Sequence, residues 1–250
     1  MTAKQLYEKL DAAIPRSLSE EWDNDGLMVE ANEKEIKKVL VTLDATLPAI
    51  EYAAMNGFDC IVTHHPLIFR PLGRITLDSN IARRVMLLIN NGISVMSFHT
   101  RLDKVGGGVN DALAARLGLK NTASLPSLGV VGELAEETPL REFSEFVRDM
   151  LSCDSVRFSD ARRPVRRVAV VGGSGDDLIP EAIGAGADTF VTGEGHHNTY
   201  ADASEAGINY VVAGHYETED PVCERLAELI KEAAPGLAVE YFPSKPHFTV

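Results

Sequence analysis

Cys60-Ile61-Val62-Thr63-His64-His65-Pro66 reads as a short apolar strand that stops at two adjacent imidazoles. Residues 60–63 are small or β-branched and suit a pleated, buried surface, while Pro66 has no N–H for further ladder pairing. The histidines are therefore expected at the carboxyl end of a strand, where open α/β sheets place their ligands. Adjacent strand residues point to opposite faces, but where the strand ends the backbone can turn both rings toward one cleft. Neutral imidazole is the commonest metal ligand. Taken alone, a His-His-Pro is more simply a turn, so the rest of the chain decides its meaning.

The chain of 250 residues is long enough for one large core or two domains. Its 45% apolar and 24% charged residues are those of an ordinary globular protein. No stretch approaches the roughly 20 apolar residues of a membrane span, and the N-terminus lacks a signal peptide's apolar core and cleavage site. Three cysteines, Cys60, Cys153 and Cys223, are odd in number and far apart. They argue against a disulfide framework and for a reducing cytoplasm. Without a Cys-x-x-Cys, any metal must be held by His and carboxylate. The net charge of −13 makes nucleic acid an unsuitable partner, since phosphate contacts need a basic face.

Leu6, Leu10 and Ala13 recur at helical spacing over residues 3–13. In Trp22-Asp23-Asn24-Asp25-Gly26-Leu27, one reading makes Trp22 a plug at a core edge and residues 24–26 a turn. Val39–Leu43 is expected as a strand, and Leu47–Asn56 as a helix ended by Gly57. A helix over 79–91 then leads to a strand, Ile93–Phe98, that runs into His99-Thr100-Arg101-Leu102-Asp103. Gly106-Gly107-Gly108 before a helix invites a phosphate-loop reading. It lacks the Lys-Ser/Thr ending, and a flexible loop or hinge is the better reading. Residues 120–129 are the best linker candidate. Thr138-Pro139 is read as a cap with Pro at the first helical position. Strand and helix then alternate to the end, which predicts an α/β fold of mainly parallel sheets flanked by helices.

The second half repeats the first. With Val39 set on Val168, Ala53 meets Ala182, Gly57 meets Gly186, Asp59 meets Asp188 and Val62-Thr63 meets Val191-Thr192. His64-His65 meets Gly193-Glu194, with His196-His197 just beyond. After a small shift each copy reaches the same pattern, His99-x-x-x-Asp103 and His215-x-x-x-Glu219. The duplication predicts two similar α/β units, 1–126 and 127–250, with the C-terminal strand free to return to the first. Singly, a His-x-x-x-Glu is more often a helix-start pair. Jointly, His64, His65, Asp103, His215 and Glu219 at the ends of apolar strands are a donor set for divalent metal. Their strand ends are expected to converge, with metal between the units.

These pieces carry a family resemblance. Trp22-Asp23-Asn24-x-Gly26-Leu27, Thr63-His64-His65-Pro66-Leu67-Ile68-Phe69, His99-Thr100-x-Leu102-Asp103, Thr192-Gly193-Glu194 and Gly214-His215-Tyr216-x-Thr218-Glu219 follow one another in family order over nearly the whole chain. The chain resembles the Nif-three-like proteins, a dinuclear-metal, hexameric family labelled GTP cyclohydrolase class-two homologues. It lacks the mid-chain domain of the long members.

The resemblance implies that His64, His65, Asp103, His215 and Glu219 bind two divalent ions (Zn, Mn or Fe), with Glu219 bridging. It also implies a homo-oligomer, a hexamer. His99 is placed behind the ligands, orienting Asp103 or a water. His99, Glu194 and His197 are the catalytic candidates, and the family pattern leaves open which of His196 and His197 faces the site. Two function classes follow. One is a metal-dependent hydrolase acting on a nucleotide-like small molecule, for which the label suggests purine ring opening. The other is a non-catalytic metal-binding or adaptor protein. The hydrolase is favoured because so few protein ligands leave coordination positions open for water. Arg70, Arg74 and Lys104 lie near the motifs and are candidates for phosphate or plain solvated charges.

Overall fold

The computed structural model describes residues 1–247. The chain forms two compact units, Met1–Val105 with Cys223–Ser244, and Gly106–Val222 with the tail from Lys245. Each is an α/β unit built on one sheet.

The first unit holds α1 (Ala3–Ala13), β1 (Gly26–Val29), β2 (Lys38–Thr42), α2 (Leu47–Met55), β3 (Cys60–Thr63), α3 (Asn80–Asn90), β4 (Ser94–Ser97) and α4 (Thr100–Lys104). The second holds α5 (Val109–Arg116), β5 (Lys120–Ser124), β6 (Val130–Thr138), α6 (Leu140–Met150), β7 (Arg157–Ser159) and β8 (Val165–Ser174). It continues with α7 (Ile179–Gly184), β9 (Thr189–Glu194), α8 (His197–Glu205), β10 (Asn209–Val212) and α9 (His215–Glu219). The chain then gives α10 (Val222–Ala233) and β11 (Ala238–Tyr241).

Local chemistry sets the helix starts. Thr2 and Gln5 form a reciprocal capping box ahead of α1, which buries Leu6 and Leu10. Thr46 and Ser79 cap α2 and α3 through their hydroxyl oxygens. The expected cap at Thr138-Pro139 sits one residue later, because Thr138 still belongs to β6 and Pro139 takes the cap position.

The first sheet runs β1-β4-β3-β2-β11, parallel except for β1 on its edge. The second runs β5-β6-β8-β9-β10-β7, with a parallel core of β8, β9 and β10. Its flanking strands, β5, β6 and β7, are added antiparallel. Both central strands of the first sheet, β3 and β4, are buried along their whole length, so they read as continuous apolar runs.

The duplication is visible bond by bond. Asp59 Oδ2 accepts from the backbone N–H of Lys37 and Lys38 at 2.7 and 2.9 Å, and Asp188 Oδ2 accepts from Arg166 and Arg167 at 3.0 and 2.7 Å. The register agrees too: Val39 lies opposite Cys60 in one sheet and Val168 opposite Thr189 in the other. The strand-exit bond Phe98 N to Thr63 O recurs as Ala213 N to Thr192 O, both at 2.9 Å.

Two expectations differ from what is found. The units do not divide at 126/127. α5 and the residue after it pack Leu113, Ala114 and Leu117 into the core formed by Val168, Val170 and Val191, so residues 106–126 belong to the second unit. Residues 120–129 are no linker, because Lys120–Ser124 is an edge strand paired with β6. All five of its residues are exposed, and a strand with no core-facing side shows no apolar alternation.

Candidate metal centre

In the first unit, β3 ends at Thr63, whose hydroxyl donates to His65 O at 2.7 Å and bonds Ser97 Oγ at 2.8 Å. His65 N–H donates to Leu43 O at 3.1 Å. These bonds fold the chain over the strand end and bring both rings to one side, with centroids 4.8 Å apart. His99, just beyond β4, joins them at 5.3 Å from His64 and 5.7 Å from His65. One ligand atom from each of the three lies within 4.8 Å of the others, a group that could hold a metal ion. Asp103 on α4 reaches His64 Nε2 with Oδ1 at 3.5 Å.

The rings are held in one way. His64 Nδ1 faces Phe98 O at 2.9 Å, His65 Nδ1 faces Asp44 Oδ1 at 2.9 Å, and His99 Nδ1 faces Asp23 Oδ1 at 2.8 Å. A carbonyl or carboxylate oxygen only accepts, so each Nδ1 carries a proton. This is the arrangement of metal-binding histidines oriented by oxygen acceptors. The carboxylate partner of His99 Nδ1 is Asp23, and its ring stands beside the other two imidazoles.

Burial, and then the neighbouring His64, lower the His99 pKa despite the opposing Asp23, so the ring is neutral near pH 7. Burial pushes Asp23 upward, but hydrogen bonds from Thr100 and His99 together outweigh it and hold the carboxyl below its usual range. Beneath this layer the side chain of Arg101 is fully buried. Its Nε donates to the equally buried Asp25 at 2.7 Å, and its Nη1 to Ile14 O at 2.9 Å. Asp25 also accepts from His99 N–H, so the ion pair fixes the start of α4.

The second unit repeats the device. His215 Nδ1 meets Glu194 Oε1 at 2.8 Å, and its Nε2 lies 3.0 Å from Glu219 Oε2. Gly214, at φ +98°, turns the chain from β10 into α9. Two further glycines make room for α9. A Cβ on Gly173 (φ +64°) would lie 2.2 Å from Glu219 Oε1, and one on Gly193 would lie 2.7 Å from His215 Cα. Gly173 N–H donates to Thr218 Oγ1 at 3.1 Å, which fixes the helix turn between the two candidate ligands.

The remaining candidates are placed as follows. Glu194 orients His215. His197 is exposed at the start of α8. His196 is exposed and pairs with Asp176 at 2.8 Å. Lys104 is engaged by Glu20, whereas Arg70 and Arg74 are exposed. The Gly106–Gly108 run is closed by its own helix, with Gly107 N–H donating to Asp111 Oδ2 at 2.7 Å, and a carboxylate there repels phosphate. Asp23, Asp44 and Asp25 were not among the expected site residues. Trp22 plugs no core edge, being 61% exposed.

The His196–Asp176 pair gives a pH test. A hydrogen bond and charge from Asp176 raise the His196 pKa above 6.5. The pair therefore contributes fully below pH 6.5 and is lost as pH rises through the folded value. An NMR titration should show His196 titrating above 6.5, and Asp176→Asn should bring it back; no downward shift in the variant would refute the pairing.

Among the described residues no helix is long and apolar enough to cross a membrane. The model of the Duf34/NIF3 (NGG1p interacting factor 3) family matches residues 1–247. A relative from Clostridium perfringens called "GTP cyclohydrolase 1 type 2 homolog" is 34% identical, covering 98% of this chain and 97% of its own. The solved structure of Staphylococcus aureus hypothetical protein SA1388 superposes with a TM-score of 0.94 at 28% identity, over 100% of this chain and 99% of that one. Reduced HcgD from Methanocaldococcus jannaschii does so with a TM-score of 0.81 at 31% identity, over 96% and 97%. Fold, duplicated strand ends and family match agree: this chain belongs to the Duf34/NIF3 family.

Proposed function

We propose that this chain is a metal-dependent hydrolase acting on a nucleotide-like small molecule, with two divalent ions held by His64, His65, Asp103, His215 and Glu219. His99 is a third imidazole ligand in the first unit. The observation that carries this reading is the shared orientation of His64, His65, His99 and His215: each Nδ1 is held by an oxygen acceptor, which fixes the ring. Imidazoles that serve only as surface polar groups need no such fixing. Nitrogen and carboxylate donors without thiolate suit Zn, Mn or Fe. The nucleotide class rests on the name borne by the relatives.

Divalent ions bound there supply Lewis-acid polarisation and bring the pKa of water toward about 7. The chain supplies position and charge. Asp44, Asp23 and Glu194 orient imidazoles, while Asp103 and Glu219 bring the negative charge that divalent cations require. Elemental analysis after reconstitution with Zn, Mn or Fe should return two ions per chain. His64→Ala should lose about one of them, together with any turnover of GTP or of a nucleotide panel. Well under one ion per chain in the parent protein would sink the metal centre. Two ions with no turnover of any panel member would sink the hydrolase and leave a metal-binding protein.

A further inference from the structure

Beside the three imidazoles of the first unit stand two aromatic rings that the metal reading does not use. Trp22 is 61% exposed and Phe69 is 42% exposed. Their ring centroids are 6.1 Å apart at an interplanar angle of 71°. Trp22 lies 6.3 Å from the His99 ring and Phe69 lies 6.2 Å from it. The three rings form a corner, each edge-on to the next.

Isolated apolar residues on a surface need no explanation. This pair is different because a polar network holds it in water. Asp23, next to Trp22, accepts from Thr100 N–H at 3.1 Å, from Thr100 Oγ1 at 2.6 Å and from His99 Nδ1. Glu20 N–H donates to Thr100 Oγ1 at 3.0 Å on the other side of Trp22. Asn24 Nδ2 donates to Ile68 O, tying the Trp22 turn to the residue before Phe69. Hydrogen bonds spanning up to 80 positions of sequence thus hold a tryptophan face open to solvent. Arg70 follows Phe69, and Arg74 lies in the same irregular segment; both are exposed. In a chain of net charge −13, two exposed cations thus follow the exposed π-face of Phe69 within five positions of sequence.

We infer that Trp22 and Phe69 are a stacking platform for the planar heteroaromatic ring of the substrate, with Arg70 and Arg74 receiving its anionic group. Base–aromatic stacking tolerates any base and is specific for rings over sugars, because every base has a π-face. The inference deepens the nucleotide reading: it supplies the ring recognition that the metal ligands cannot.

Trp22 is the only tryptophan of the chain, so its emission reports the corner directly. The probes are guanosine 5′-monophosphate and adenosine 5′-monophosphate, with ribose 5-phosphate as the ringless control, added to metal-loaded full-length protein. Both nucleotides should quench Trp22 emission saturably after absorbance correction, and ribose 5-phosphate should not. By calorimetry, Phe69→Ala, or Phe69→Leu if the first variant folds poorly, should weaken nucleotide binding about tenfold. Arg70→Ala should weaken guanosine 5′-monophosphate but not guanosine, added as a further probe that lacks the phosphate.

Absence of saturable quenching up to millimolar nucleotide overturns the platform. So does a blue-shifted emission that turns red as light scattering follows dissociation of an oligomer, since a second copy then covers the corner. Metal content measured on the same samples separates the two claims. Quenching without metal retains the platform and defeats the metal centre; metal without quenching does the reverse.

Discussion

Replacing Asp25 by alanine is expected to cost about 3–5 kcal/mol of stability, because it strands a buried guanidinium. Arg101 and Asp25 have no exposed side-chain surface, and their contact is 2.7 Å. The other Arg101 partners are Ile14 O, Asp11 and Tyr7, and only Asp11 is a carboxylate, itself partly exposed. Removing Asp25 leaves one screened carboxylate to balance the charge, and it also releases the hydroxyl of Ser19 and the His99 N–H. Urea unfolding with a native-like slope would measure the loss. The double variant Asp25→Ala/Arg101→Met should recover part of it, since an apolar pair has no charge to strand. A loss under about 1 kcal/mol for the single variant would mean that solvent reaches Arg101 and that the pair is not the support of α4.

The second large effect is expected at a residue that bears no donor atom. Gly173→Ala places a methyl group 2.2 Å from Glu219 Oε1 and 3.2 Å from His215 Cε1. The backbone there, at φ +64°, also resists a side chain, at about 1–2 kcal/mol. Glu219 must move, and metal affinity should fall on the order of 10–100-fold, as when groups that position a ligand are altered. Competition with a chromophoric chelator would read the change, and Gly184→Ala, whose Cβ meets nothing within 4 Å, is the control. An unchanged affinity in Gly173→Ala would show that Glu219 takes no part in binding.

Much of this site could be read from residue order because its main parts are local. Thr63-His64-His65-Pro66 states a strand and its end within a few residues, and the offset joining Asp59 to Asp188 is gapless over a whole strand–helix–strand passage. The groups that orient the rings are not local. Asp23 meets His99 across 76 positions and Asp44 meets His65 across 21, and no periodicity carries such information. Trp22 departs from the core-edge reading for a related reason. A lone tryptophan is ordinarily core, and its exposure follows from bonds made by Asp23 and Asn24 to distant residues. Lys120–Ser124 carries no strand pattern because all five residues are exposed, so no face alternates with a buried one.

The pairing of β11 with β2 also orders events in time. Ala238 lies opposite Lys38 and Tyr241 opposite Val41, 200 residues apart along the chain. Residues 106–222, with their own sheet, are made in the interval. During synthesis at about 5–20 residues per second, β2 waits on the order of 10–40 s with one edge unsatisfied while the later unit can close. Throughout that interval the first unit presents an open, apolar edge strand, a template for pairing with another chain. The sheet that starts the polypeptide is therefore the last to be completed, and the nascent chain is most prone to aggregation before residue 241 emerges.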